Sequence, residues 1–260
     1  MNFKIGDLVT RISYKHDIVF KIVDFIDNIV YLKGVDLRLF ADADVRDLMK
    51  SSVLSDKSDS EIIKENIARL ELDRSEYFYL PGKILHIDGD KEYLDRCMEF
   101  YEKMNIVANG ICLDEFDISN KIGNLLVDYK PDIVVITGHD SYNSKKDSKY
   151  QNTDNFIMAV KEARKYEKSH DKLLIIAGAC QSNYEELIKA GANFASSPKR
   201  INIHALDPAI IASSLAFSDR NKSIDLIDII EKTKYGSDGI GGIITNGTMY
   251  VGYPRWCLRE

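Results

Sequence analysis

Apolar positions in the first 50 or so residues come in short bursts: Leu8-Val9, Ile18-Val19-Phe20, Ile22-Val23 and Ile29-Val30-Tyr31-Leu32. They are broken by Gly6-Asp7, Lys15-His16-Asp17, Asp27-Asn28 and Lys33-Gly34, all of which carry turn chemistry. Short strands separated by such breakers predict a small antiparallel barrel or meander over residues 1–50. From 51 to 80 the pattern turns polar, with Ser55-Asp56-Lys57-Ser58-Asp59-Ser60 leading into a weak helical spacing at Ile62, Ile63, Ile67 and Leu70. This stretch reads as a linker with one charged helix.

After Pro81-Gly82 the rhythm changes. Apolar runs of about six residues alternate with helical segments, the signature of βα units on a parallel sheet. Strands are expected at Lys83–Ile87, Ile106–Cys112, Ile133–Thr137, Leu173–Ala177 and near Asn193–Ala195, with helices at Lys91–Lys103, Ser119–Tyr129, Asn155–Lys168 and Asn183–Ala190. Gly191 stands where a left-handed cap would close the last of these. Two more helices are expected at Pro208–Phe217 and Ser223–Lys232. Near the end, Asn246-Gly247 between two apolar runs predicts an antiparallel hairpin. The fold class is therefore α/β, a doubly wound and mostly parallel sheet over 81–260, with a small N-terminal SH3-like β-barrel module and a C-terminal β-hairpin.

Composition adds limits. The chain has 260 residues, 45% apolar and 29% charged, which is ordinary globular usage. A net charge of -6 provides no global attraction to phosphate backbones or anionic surfaces, so nucleic-acid and membrane partners are not expected. No signal peptide and no run of 18 apolar residues is evident. Four cysteines, Cys97, Cys112, Cys180 and Cys257, lack CxxC spacing, so no metal and no cofactor is expected. No strand–GxGxxG–helix or phosphate-loop motif occurs.

Two strand ends carry candidate chemistry. Ile133-Val134-Val135-Ile136-Thr137 runs through Gly138 to His139, and Leu173-Leu174-Ile175-Ile176-Ala177 runs through Gly178-Ala179 to Cys180. In open α/β sheets ligands sit beyond the carboxyl ends of the strands, and a right-handed crossover favours making these two strands neighbours. An imidazole beside a thiol can take its proton and create the thiolate that attacks a carbonyl. Each residue alone also has a plain structural reading: a buried cysteine is commonly an inert small apolar group. Backbone N–H groups at Gly138 and Cys180 are candidate oxyanion donors. His204 comes after the next strand and is a candidate for lining the same crevice. Cys97 and Cys112 read as core, Cys257 as a surface thiol, and the polar loop Ser141–Asp154 as a binding edge or a solvated connection. The same fold class also hosts ligand-binding and sensor domains without catalysis.

A strand ending in His followed by a strand ending in Ala-Cys resembles the caspase-like (clan CD) cysteine peptidases. A likeness spanning nearly the whole chain rests on Lys4-Ile5-Gly6-Asp7-Leu8-Val9, Arg38-Leu39-Phe40-Ala41-Asp42-Ala43, Pro81-Gly82-Lys83-Ile84-Leu85-His86-Ile87-Asp88-Gly89-Asp90, Thr137-Gly138-His139-Asp140, Ala177-Gly178-Ala179-Cys180-Gln181-Ser182 and Ser196-Ser197-Pro198-Lys199-Arg200-Ile201-Asn202-Ile203-His204-Ala205-Leu206-Asp207-Pro208. Together these segments resemble the YabG family of sporulation proteases. The resemblance implies an endopeptidase of the mother cell and forming spore coat, acting on coat and cortex-associated proteins with cleavage after arginine. His139 would be its base and Cys180 its nucleophile. Cleavage after arginine would call for an acidic pocket residue, for which Asp140, Asp207 and Asp238 are candidates. Asp140 departs from the glycine that many caspase-like enzymes place after the histidine. The N-terminal module would dock substrate or coat protein. Self-processing at Arg69 or Arg74, or near Arg46, is a further expectation.

Overall fold

Five short strands build the N-terminal part: β1 (Leu8–Arg11), β2 (Phe20–Ile26), β3 (Ile29–Gly34), β4 (Phe40–Asp44) and β5 (Leu48–Lys50). The computed structural model describes residues 3–51, 57–142 and 150–255. The chain divides into two compact units, Met1–Ser58 and Asp59–Glu260. In the first, the strands pair antiparallel in the order β4-β3-β2-β1-β5. Val9, Phe20, Ile22, Val30 and Leu32 are fully buried and form its core with Ala43 and Leu48. The pairings establish an antiparallel sheet, with β4 and β5 at its two ends.

The second unit contains α1 (Asp59–Ala68), β6 (Phe78–Leu80), β7 (Ile84–Asp88), α2 (Lys91–Lys103), β8 (Ala108–Cys112), α3 (Glu115–Tyr129), β9 (Ile133–Thr137), α4 (Thr153–Tyr166) and β10 (Leu174–Ala177). It continues through α5 (Tyr184–Ala190), β11 (Phe194–Ser196), α6 (Asp207–Ala216), α7 (Leu226–Ile230), β12 (Ile240–Gly242) and β13 (Tyr250–Gly252). Six strands form one sheet in the order β12-β11-β10-β9-β7-β8. All its pairings are parallel except β11 with β12. Strands β7, β9 and β10 are buried at every position, as expected where a parallel sheet is covered on both faces. Ile84, Val135, Leu174 and Ile176 pack with Cys97, Phe100 and Tyr101 of α2 and with α6. Leu85, Ile87, Val134, Ile136, Ile175 and Ala177 pack on the other face with α3, α4 and α5. Helix α6 is buried almost all round, because Ile210, Ile211 and Leu215 meet the sheet face while its neighbours cover the rest. Gly191 caps α5 at φ 115°, and its N–H donates to the Ile188 carbonyl at 3.0 Å. No helix among the described residues is long and apolar enough to cross a membrane.

The stretch 51–80 holds a helix, and residues from Asp59 onward fall in the second unit. Ile63 of α1 enters the core, Arg96 of α2 grips Asp59 at 2.7 Å, and β6 pairs with β13. Among the described residues the expected C-terminal hairpin does not form, and the strands on either side of Asn246-Gly247 go to different sheets: β12 joins β11 and β13 joins β6. The intervening backbone is hydrogen-bonded to the last turn of α6 and the segment after it instead. Ile224 N–H donates to the Thr245 carbonyl, Thr248 N–H to Leu215 and Met249 N–H to Ser218. A Cβ on Gly247 would lie 2.1 Å from the Ser218 carbonyl oxygen, so this glycine serves a close crossing of two chain segments instead of a tight turn. Once tertiary partners satisfy those backbone groups, the local turn preference has nothing left to pair.

Candidate active site

Three neighbouring parallel strands deliver side chains to one edge. Ile136 pairs with Ala177, and His139 and Cys180 each lie three residues further on. On the other side of β9, Asp88 pairs with Thr137, and Asp90 and His139 each lie two residues further on. The three residues therefore follow the carboxyl ends of neighbouring strands at matched offsets, on strands about 4.8 Å apart.

Local chemistry aims each of them. At the end of β10, Gly178 adopts φ 103°, a left-handed conformation open to glycine, and Thr137 Oγ1 donates to its carbonyl at 3.0 Å. Cys180 comes two residues later, fully buried. Its Sγ accepts the Ile203 N–H at 3.2 Å and donates towards the Ile203 carbonyl at 3.8 Å. The next residue, Gln181, is left-handed at φ 57°. Gln181 N–H donates to the Ile201 carbonyl and Ser197 Oγ, and its amide donates to Asn202, so the segment after β11 is tied across the nucleophile candidate.

His139 is held on two sides. Its Nε2 lies 2.8 Å from Asp90 Oδ2, and its backbone N–H donates to Glu115 Oε1 at 2.8 Å. Only a donor can face a carboxylate, so Nε2 carries the proton and the neutral ring keeps its lone pair on Nδ1. Gly138 has a clear steric purpose here. A Cβ on it would stand 2.4 Å from Glu115 Oε1, and one on Gly89 would stand 2.3 Å away, so the two glycines make the berth for that carboxylate. Tyr93, buried on α2, sets its ring 5.6 Å from the imidazole.

Asp140 is buried, and its carboxylate accepts five hydrogen bonds. Oδ1 takes the N–H groups of Ser141, Gln151 and Asn152, while Oδ2 takes the hydroxyls of Thr153 and Ser182. Ser182 Oγ in turn accepts the Ala179 N–H at 3.0 Å. Asp140 thus joins the His139 turn, the start of α4 and the Cys180 turn. Residues 143–149 of the expected binding loop, and Cys257, lie outside the described residues.

His204 is buried next to Ile203. Its Nδ1 accepts the Leu206 N–H at 3.2 Å, and its backbone N–H donates to Asp207 Oδ2 at 2.8 Å. Asp207 is fully buried at the start of α6, and its Oδ1 accepts the Lys234 N–H. Asp238 is half exposed and pairs with Lys199 at 3.0 Å. Of the other cysteines, Cys97 is buried and donates to the Ala205 carbonyl. Cys112 is exposed at the end of β8, where burial of its sulfur and then the charges of Asp88 and Asp90 push its thiol above the ordinary range. Among the described residues no group of three or more His, Cys, Asp or Glu could hold a metal ion.

Sequence reasoning missed Asp90 and Glu115 as partners of His139. The signal for Asp90 was available: Asp88-Gly89-Asp90 ends a third strand on the same edge and Asp is a preferred N-cap. Glu115 was hidden because α3 starts four residues earlier than its apolar spacing indicated.

The α/β unit thus carries His139 and Cys180 just beyond the carboxyl ends of two adjacent parallel strands. The sequence profile described as YabG peptidase U57 matches residues 4–254, so the chain belongs to the YabG peptidase family. It is 38% identical to the sporulation-specific protease YabG of Bacillus subtilis (strain 168), over 98% of this chain and 99% of that protein. The family and this relative support a sporulation-specific protease. No solved structure matches.

Proposed function

We propose that this protein is a cysteine-type endopeptidase with Cys180 as nucleophile and His139 as base, on a caspase-like, doubly wound sheet. The observation that carries the reading is the matched offset of His139 and Cys180 beyond paired residues of β9 and β10. In the reaction, His139 Nδ1 takes the Cys180 thiol proton, and the thiolate adds to the scissile carbonyl carbon. Collapse breaks the carbon–nitrogen bond as the imidazolium gives its proton to the leaving amine. Water then hydrolyses the thioester. The Ile203 N–H at Sγ favours the thiolate, since a hydrogen bond donated to the charged form stabilises it.

For the oxyanion we retain the backbone N–H groups at Gly138 and Cys180, which belong to the turns that follow β9 and β10. Substrates are spore coat and cortex-associated proteins, cut after arginine, in the mother cell and forming coat. Asp238 is the best supported acidic partner for that arginine, because it reaches solvent while Asp140 and Asp207 are buried in internal hydrogen bonds. His204 and Asp207 shape the wall behind Cys180. The N-terminal sheet, read as a closed SH3-like barrel, docks substrate, and Arg46, Arg69 and Arg74 are the self-processing sites.

A tagged peptidyl-arginine acyloxymethyl ketone tests the core of this reading. Mass spectrometry should find it on Cys180, and Cys180→Ala or His139→Ala should abolish both labelling and cleavage of a recombinant coat protein without unfolding the chain. Full activity in both variants would remove the assignment.

A further inference from the structure

Three strand ends, and not two, converge at this edge. Strand β7 neighbours β9 on the side away from β10, and Asp90 stands beyond it at the same offset as His139. Its carboxylate is divided between two tasks. Oδ1 caps α2 by accepting the Glu92 and Tyr93 N–H groups at 2.9 and 3.2 Å, and Oδ2 meets His139 Nε2 at 2.8 Å. The Asp90 N–H is itself held by Asp88 Oδ1 at 2.9 Å, so helix, turn and carboxylate form one rigid support.

We propose that Asp90 is a positioning residue for the reaction: by accepting the Nε2 proton of His139 it keeps Nδ1 as the nitrogen that receives the Cys180 proton. The inference rests on His139 and Cys180 being the reacting pair. Its physical basis is tautomer choice: imidazole has one proton and two nitrogens, and a fixed acceptor at Nε2 settles where the proton sits. Glu115 supports the same end by anchoring the His139 backbone, and the Tyr93 ring limits the imidazole's swing.

The double duty of the carboxylate makes Asp90→Asn informative. Asn and Asp are equally good N-caps. To keep the cap, the Asn oxygen must stay on the Glu92 and Tyr93 N–H groups, which turns its NH₂ towards His139. An amide donor at Nε2 needs a lone pair there, so the imidazole proton moves to Nδ1 and the base is blocked.

The test uses the full chain and its Asp90→Asn variant. Imidazole ¹⁵N shifts of His139 should change from the Nε2–H to the Nδ1–H form. Turnover of a fluorogenic peptidyl-arginine amide should fall about a hundredfold or more in kcat with KM held within about threefold. Iodoacetamide capture of Cys180 should slow, while the unfolding midpoint moves little. An unchanged tautomer, or wild-type kcat, overturns the proposal, as does a kcat loss matched by an equal loss of folded protein. Should Cys180→Ala and His139→Ala remain active, the reacting pair is wrong, and the ¹⁵N measurement still decides separately whether Asp90 sets the His139 tautomer.

Discussion

Replacing Asp140 separates a brace from a substrate contact. Its carboxylate accepts three backbone N–H groups through Oδ1 and two hydroxyls through Oδ2, and the residue is 4% exposed. A hydrogen bond to a charged group contributes about 1.5–3 kcal/mol net. Five taken together would be on the order of 10 kcal/mol, comparable with the whole stability of a domain. The real cost of Asp140→Ala is smaller, since water entering the vacated space re-pairs part of the set. Breaking a buried charged network typically costs about 3–5 kcal/mol. With a urea slope of about 2–3 kcal/mol per molar, the midpoint should fall by about 1–2 M. Asp140→Asn should cost only about 1–2 kcal/mol, because its oxygen can keep the three N–H groups while its NH₂ donates to the hydroxyls, which accept through their second lone pairs. Urea unfolding monitored by circular dichroism measures the order, wild type above Asn above Ala. Activity should track the folded fraction and the alignment of the two turns. A wild-type midpoint for Asp140→Ala together with a raised KM for arginine substrates would refute the brace and restore the specificity role.

Two more outcomes are expected around the site and at the turn entering β10. Gly138→Ala places a methyl 2.4 Å from Glu115 Oε1, so the carboxylate must leave and the His139 backbone loses its anchor. Activity should drop at least tenfold, and Glu115→Ala in the same chain should add little to the loss, which a double-mutant cycle on kcat/KM will read. At the turn entering β10, Arg164, pushed down to about 10 by burial, donates to the Gly191 and Leu173 carbonyls and points Nη2 at His170 Nδ1. His170 is pushed below 6.5, first by burial and then by the Arg164 charge. A depressed histidine resists protonation in the fold, so the associated stability is complete above pH ~6.5, the unfolded value, and is lost as pH falls below it. His170→Gln should flatten the decline in thermal midpoint between about pH 6.5 and 5, and an unaltered slope there would exclude His170 as its source.

The order of elements, and the strands that carry His139 and Cys180, are legible in the chain alone. Apolar runs at Ile133–Thr137 and Leu173–Ala177, short, rich in β-branched residues and each followed by glycine, read as strands buried on both faces, and the residues just beyond a buried parallel strand emerge at its carboxyl edge. That logic needs only neighbours in the chain. Features that depend on distant partners had to await the folded molecule. Asp90 is 49 residues from His139 and Glu115 is 24, and a side chain that caps a helix or fills a gap beside glycine has no periodicity to reveal it. The same reason accounts for the hydrogen bonds of Asp140, whose partners at 151–153 and 182 no local pattern announces. It also accounts for Asn246-Gly247. Local propensity there favours a hairpin by an amount small beside the backbone hydrogen bonds offered by Leu215, Ser218 and Ile224, so the chain crosses that segment and sends its two strands to different sheets.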